Sequence, residues 1–243
     1  MAKYVLEKAE KTGKLKQGYT IIEATSGNTG VSFAMLAALK GYKFIAVMPK
    51  STSEGKKKLM KSFGAKFILT STKGGLVEAI KKTKELAKNY KNVWLPKQFE
   101  NPDNIEAHQK GLGNELLREV KKIDAFVAGI GTGGTLMGVA KALKPKLPKV
   151  KIIGVEAVES PHKIEGISDG IAPKILDFGL IDEMIKIKSK DAIETAKQLA
   201  ENNGLLVGIS SGANILAALK LSEKYENVVT VLPDRAERYH ELW

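Results

Sequence analysis

Short runs of β-branched and other apolar residues recur along the chain, each followed by a stretch whose apolar positions return every three or four residues. The runs at 20–23, 43–48, 66–70, 92–95, 124–128, 151–156 and 227–232 read as strands. The stretches at 31–39, 76–88, 105–120, 136–143, 192–201 and 214–224 read as helices, as does the opening segment 2–11. Strand–helix alternation of this kind predicts an α/β fold of two lobes, each a mostly parallel sheet flanked by helices. The turn chemistry of Gln98-Phe99-Glu100-Asn101-Pro102-Asp103 marks the boundary. It sets a smaller N-terminal lobe, 1–100, against a C-terminal lobe, 101–243. Residues 157–181, rich in Gly and Pro, show no period.

Composition narrows the function classes. A chain of 243 residues, 43% of them hydrophobic, can bury real cores. It contains no apolar run of membrane-spanning length, and its opening residues alternate charge with apolar side chains, so a cytoplasmic protein is expected. The absence of cysteine excludes disulfides, thiolate nucleophiles and Cys-ligated metals. His108, His162 and His240 are too scattered to suggest a metal site. A net charge of +12 raises the question of nucleic acid, yet only Arg118, Arg235 and Arg238 of the 39 basic residues are the arginines that base reading favours. The charge is also lopsided, with 20 Lys against 7 acids in residues 1–100 and 19 basic against 20 acidic residues thereafter. Runs such as Lys56-Lys57-Lys58 read as solvated helix faces. Neither a nucleic acid nor a membrane is an expected partner.

Three glycine-bearing loops each leave a strand and open a helix, where backbone N–H groups and the helix dipole attract anions. They are Thr25-Ser26-Gly27-Asn28-Thr29-Gly30, Gly129-Ile130-Gly131-Thr132-Gly133-Gly134-Thr135 and Gly208-Ile209-Ser210-Ser211-Gly212. In parallel sheets, ligands gather at such carboxyl ends. Gly129, Gly131 and Gly134 meet a loose dinucleotide fingerprint, with Glu156 placed as the ribose acid. Ser210 with Asp234 and His240 has the order of a hydrolase triad, but only six residues part the acid from the base. Each of these readings leaves the other loops unexplained.

Taken together, the motifs resemble the cysteine synthase (O-acetylserine sulfhydrylase) family of fold-type II pyridoxal-phosphate enzymes. The resemblance runs through 23–30, Gln98-Phe99 with Asn101-Pro102, 128–135, Pro161-His162-Lys163-Ile164-Glu165-Gly166, 208–213, and Leu232-Pro233-Asp234 with Glu237-Arg238-Tyr239. It implies that Gly131, Thr132, Gly133, Gly134 and Thr135 hold the phosphate of pyridoxal 5'-phosphate. Asn28 would donate to the ring oxygen, and Ser210 would face the pyridine nitrogen. Thr25, Ser26 and Thr29, with Gln98 across the cleft, would take the carboxylate of an amino-acid substrate. The implied reaction is β-replacement on O-acetylserine by sulfide, in a homodimer. Read without the family, Asn28 could supply a left-handed turn residue, Gln98 could cap a sheet edge and Ser210 could cap a helix. His108 reads as a packing or surface residue, and His162 and Lys163 as parts of a surface loop.

The sequence also departs from the family. Aligned on Ala9-Glu10-Lys11, the family's Schiff-base lysine and its Asn-Pro-x-x-Ser-x-Lys segment fall just before Met1, so no catalytic lysine is assigned. Lys3 lies more than a helical turn further on. The expectation is non-covalent cofactor binding with turnover impaired or lost; the alternative is a non-catalytic amino-acid-binding or regulatory relative. Smaller departures are a shorter 156–162 loop, Ile167-Ser168-Asp169-Gly170 in place of a Gly-rich turn, and Ala236 where Gly is usual.

Overall fold

The computed structural model describes residues 1–167 and 170–239; Ser168, Asp169 and residues 240–243 lie outside them. The chain divides into two compact units, one of residues 1–103 with 170–171, the other of residues 104–167 and 172–239 among those described.

In the first unit, strands β1 (Thr20–Ala24), β2 (Lys43–Pro49), β3 (Lys66–Thr70) and β4 (Val93–Trp94) form a parallel sheet in the order β3-β2-β1-β4. Ile22 pairs with Ile45, and Val47 with Ile68. Successive residues of β1 point to opposite faces, and both faces are covered. Ile21 packs with Phe33, Phe44, Met60 and Trp94, whereas Ile22 and Ala24 pack with Val47, Leu76 and Phe99. That is why these strands read as continuous apolar runs rather than alternating ones. The helices are α1 (Ala2–Lys11), α2 (Asn28–Lys40), α3 (Glu54–Ser62) and α4 (Gly75–Ala87). Trp94 is buried, with its ring edge-on to Phe33 at 6.1 Å.

One expectation changes here. Helix α3 contains the Lys-rich run read as a solvated helix face, but that face is not wholly solvated. Lys56, expected on a solvated face, is only 1% exposed and shares the buried side of α3 with Gly55 and Met60. A long apolar stem lets a lysine line an interior in this way.

The second unit repeats the plan. Its sheet holds β5 (Ala125–Gly129), β6 (Lys151–Ala157), β7 (Glu183–Ile187) and β8 (Val228–Thr230), all parallel, in the order β7-β6-β5-β8. The sequence shows no strand at β7 because Glu183 and Lys186 interrupt its apolar residues at a sheet edge, where one side meets solvent. Helices α7 (Gly134–Leu143), α8 (Ser189–Asn203) and α9 (Ile209–Leu221) flank the sheet.

The single helix expected at 105–120 is instead α5 (Pro102–His108), a π-helical turn (Gln109–Gly113) and α6 (Asn114–Glu119). Close packing on α7 accompanies the break. A Cβ on Gly138 would stand 2.6 Å from the Ile105 carbonyl oxygen, and one on Gly113 would stand 2.4 Å from the Ala142 Cβ. Widened turns of this kind are frequent beside functional sites.

Candidate functional site

In the first unit, β1 runs into Thr25-Ser26-Gly27 and then α2. Thr25 is buried, and its Oγ1 accepts N–H bonds from Gly27 (3.2 Å) and Gly30 (3.1 Å). This folds the loop back on itself and leaves the Thr25 hydroxyl only its own hydrogen to offer. Gly30 allows the fold, since a Cβ there would stand 2.6 Å from the Thr25 Cγ2. Ser26, Asn28 and Thr29 remain partly exposed at the helix start. The N–H groups of Ser26 and Thr29 meet no acceptor among the described residues. Asn28 is the first residue of α2, and Lys97 is the one described non-glycine residue with positive φ, so the left-handed-turn reading of Asn28 is wrong.

Gln98 belongs to the same unit, is buried, and donates from Nε2 to the Ala24 carbonyl oxygen at 2.8 Å. Beside it sits Glu23, whose Oε1 accepts from Ala24 N–H (2.9 Å) and Oε2 from Gln98 N–H (3.3 Å). Burial pushes the Glu23 carboxyl up to about 8, against the downward pull of N–H groups from Gln98, Ala24 and Lys97.

In the second unit, β5 ends in the loop Ile130–Gly133 and α7 begins at Gly134. The Ile130 N–H pairs with the Val155 carbonyl, but those of Gly131, Thr132, Gly133 and Thr135 meet no acceptor among the described residues. Thr132 Oγ1 accepts from Gly134 N–H (3.2 Å) and from Asn104 Nδ2 (3.0 Å). The glycines are sterically required. A Cβ on Gly131 would stand 2.3 Å from the Gly166 carbonyl oxygen, one on Gly134 would stand 2.2 Å from the Asn104 Oδ1, and Gly133 has φ 82°. Open N–H groups, two threonine hydroxyls and a helix N-terminus make a cradle whose donors suit a phosphate dianion.

Asn214 ties α9 to this loop. Its Oδ1 accepts from Gly129 N–H (2.8 Å) while its Nδ2 donates to the Val231 carbonyl (2.9 Å). Ser210, one helical turn earlier on α9, shares the face of Asn214, and its hydroxyl has no hydrogen-bond partner among the described residues. It is the second residue of α9, not its cap, which is Gly208. Asp234, the hydrolase acid of the discarded triad, accepts from the Tyr239 hydroxyl at 2.5 Å. His240 lies outside the described residues.

His108 is the residue the sequence undervalued. Its Nε2 shares a hydrogen bond with Thr135 Oγ1 at 3.3 Å, and burial lowers its pKa from 6.5 to about 4. A group held neutral in the fold but charged when unfolded costs stability as acid is added. Stability therefore falls as pH drops from 6.5 through 4, by at most about 1.4 kcal/mol per pH unit. Urea unfolding between pH 7.5 and 4.5 should show a shallower loss for His108→Gln than for the parent chain; equal slopes would contradict this assignment.

No helix among the described residues is long and apolar enough to cross a membrane, and no group of three or more His, Asp or Glu there could hold a metal ion. Residues 1–234 match the family model for the pyridoxal-phosphate dependent enzymes. The cysteine synthase B of Campylobacter jejuni is 47% identical over 247 residues, covering 97% of this chain and 82% of that protein. A hydrogen sulfide-producing enzyme from Fusobacterium nucleatum superposes with a TM-score of 0.93 at 44% identity, covering 99% of this chain and 77% of its own. An O-acetylserine dependent cystathionine beta-synthase from Helicobacter pylori superposes with a TM-score of 0.94 at 40% identity, covering 99% and 82%. The glycine cradle, the parallel sheets and these likenesses lead to one conclusion: the chain belongs to the cysteine synthase family of pyridoxal-phosphate dependent enzymes.

Proposed function

We propose that these residues bind pyridoxal phosphate and an amino acid for β-replacement of the cysteine synthase type, O-acetylserine and sulfide giving cysteine and acetate. The observation that carries the reading is the 131–135 cradle, with four open N–H groups at the head of α7. Bound pyridoxal phosphate supplies an electron sink, which lets an amino acid lose its Cα proton and then its β-substituent. Gly131, Thr132, Gly133, Gly134 and Thr135 hold the phosphate. The free hydroxyl of Ser210 faces the pyridine nitrogen; it can hydrogen-bond that nitrogen but cannot keep it charged as a carboxylate would. In the first unit, Asn28 donates to the ring oxygen. Ser26 and Thr29, with the remaining hydrogen of Thr25 and with Gln98, take the substrate carboxylate.

None of the chain's lysines stands in the family's Asn-Pro-x-x-Ser-x-Lys setting. On that ground the cofactor is held without a covalent link and turnover by these 243 residues is impaired. The family likeness and the exposed apolar side chains Met35 and Leu39 of α2 support a cytoplasmic homodimer. Absorbance titration with pyridoxal phosphate, borohydride trapping read by mass spectrometry, and a cysteine-forming assay test the reading together. Saturable binding with no lysine adduct and little cysteine is the expected result. Brisk turnover with a trapped lysine would remove the claim of impairment, and no cofactor binding would remove the whole reading.

A further inference from the structure

Glu23 is a buried acid that the proposed chemistry does not use, and its surroundings show what it holds. Lys97 adopts φ 54°, a left-handed conformation costing a non-glycine residue about 1 kcal/mol. Around such a residue, consecutive N–H groups converge into an anion-binding nest. Here the N–H groups of Lys97 and Gln98 both turn toward the Glu23 carboxyl, and Ala24 N–H joins them. The Gln98 side chain then returns to the Ala24 carbonyl at 2.8 Å. The result is a closed ring of hydrogen bonds joining residues 75 apart in sequence, centred on one side chain. A cavity of about 20 Å³ lined by Glu23, Lys97 and Phe99 leaves space for about one water beside the ring. An unbonded carboxyl buried here would be costly, so its retention in the core depends on this set of donors.

We propose that Glu23 is a positioning residue for recognition of the substrate's carboxylate. It fixes the left-handed turn at Lys97, and through that turn it holds Gln98 and the Thr25–Gly30 loop as one rigid piece. This rests on the reading above that Gln98 and that loop take the carboxylate. Glu23→Gln keeps the shape of the side chain but turns an amide NH₂ against N–H donors, so the ring opens while the core stays filled.

Amide hydrogen exchange of the full chain tests the coupling without any ligand. In Glu23→Gln, exchange at Gln98, Gly27 and Gly30 should rise by about tenfold or more, while Phe126 and Val127 of β5 stay unchanged. Acceleration at Gln98 alone, with Gly27 and Gly30 untouched, overturns the proposal. Should Glu23→Gln fail to fold, Gln98→Ala leaves the nest occupied and must still speed exchange at Gly27 and Gly30.

The second arm titrates O-acetyl-L-serine into the cofactor-loaded chain by calorimetry. Glu23→Gln and Gln98→Ala should each weaken it by about tenfold, and the double variant no more than Gln98→Ala alone. Pyridoxal-phosphate affinity should stay within about twofold. Additive losses, or an equal loss of cofactor affinity, would show a merely structural residue. If the parent chain takes up no O-acetylserine, the functional reading fails, and the exchange result still decides what Glu23 holds.

Discussion

Gly131→Ala should weaken pyridoxal-phosphate binding by about a hundredfold while the protein stays folded. The new methyl group would stand 2.3 Å from the Gly166 carbonyl oxygen, far inside contact distance and against backbone rather than a flexible side chain. Relief requires the loop to move, and the loop's value lies in where its N–H groups point. Those of Gly131, Thr132, Gly133 and Thr135 have no acceptor among the described residues, so displacing the loop costs the apo protein little and the ligand much. No cationic side chain is assigned to the phosphate, so nothing nearby can compensate. Spectral titration of parent and variant measures the shift, with thermal melting as the control. An unchanged affinity would mean that the phosphate sits elsewhere.

Asn214→Ala should be the most destabilising polar substitution in the second unit, by about 2–4 kcal/mol, or a melting point lower by about 5–15 °C. The side chain is 1% exposed and has both ends committed, to Gly129 N–H and to the Val231 carbonyl. Truncation strands a donor and an acceptor away from water, which costs more than the lost bonds themselves. It also frees the start of the glycine loop from α9, the helix that carries Ser210. A loss below about 1 kcal/mol would show that water replaces the amide without penalty.

Much of this architecture is legible in the chain because its central strands are buried on both faces. β2 and β5 have no polar interruption, so composition alone declares them. The glycine loops are equally plain, since strand, glycine and helix follow one another locally. What stays hidden is relational. Glu23 meets Gln98 across 75 residues, Asn104 meets Thr132 across 28, His108 meets Thr135 across 27, and Asn214 meets Gly129 across 85. No window of sequence contains both partners of these bonds. β7 is hidden for a different reason: Glu183 and Lys186 break its apolar run at a sheet edge.

Trp94, seated edge-on to Phe33 within the first unit's core, makes the two units distinguishable by light. Of the chain's two tryptophans it is the one among the described residues, Trp243 lying outside them. In a Trp243→Phe background its emission should be blue-shifted in the native state and should move to the red when the first unit opens. A perturbation confined to the second unit, such as Asn214→Ala, should therefore lower the circular-dichroism transition more than the Trp94 transition if the units melt independently. Coincident transitions would show that the chain unfolds as a single cooperative body.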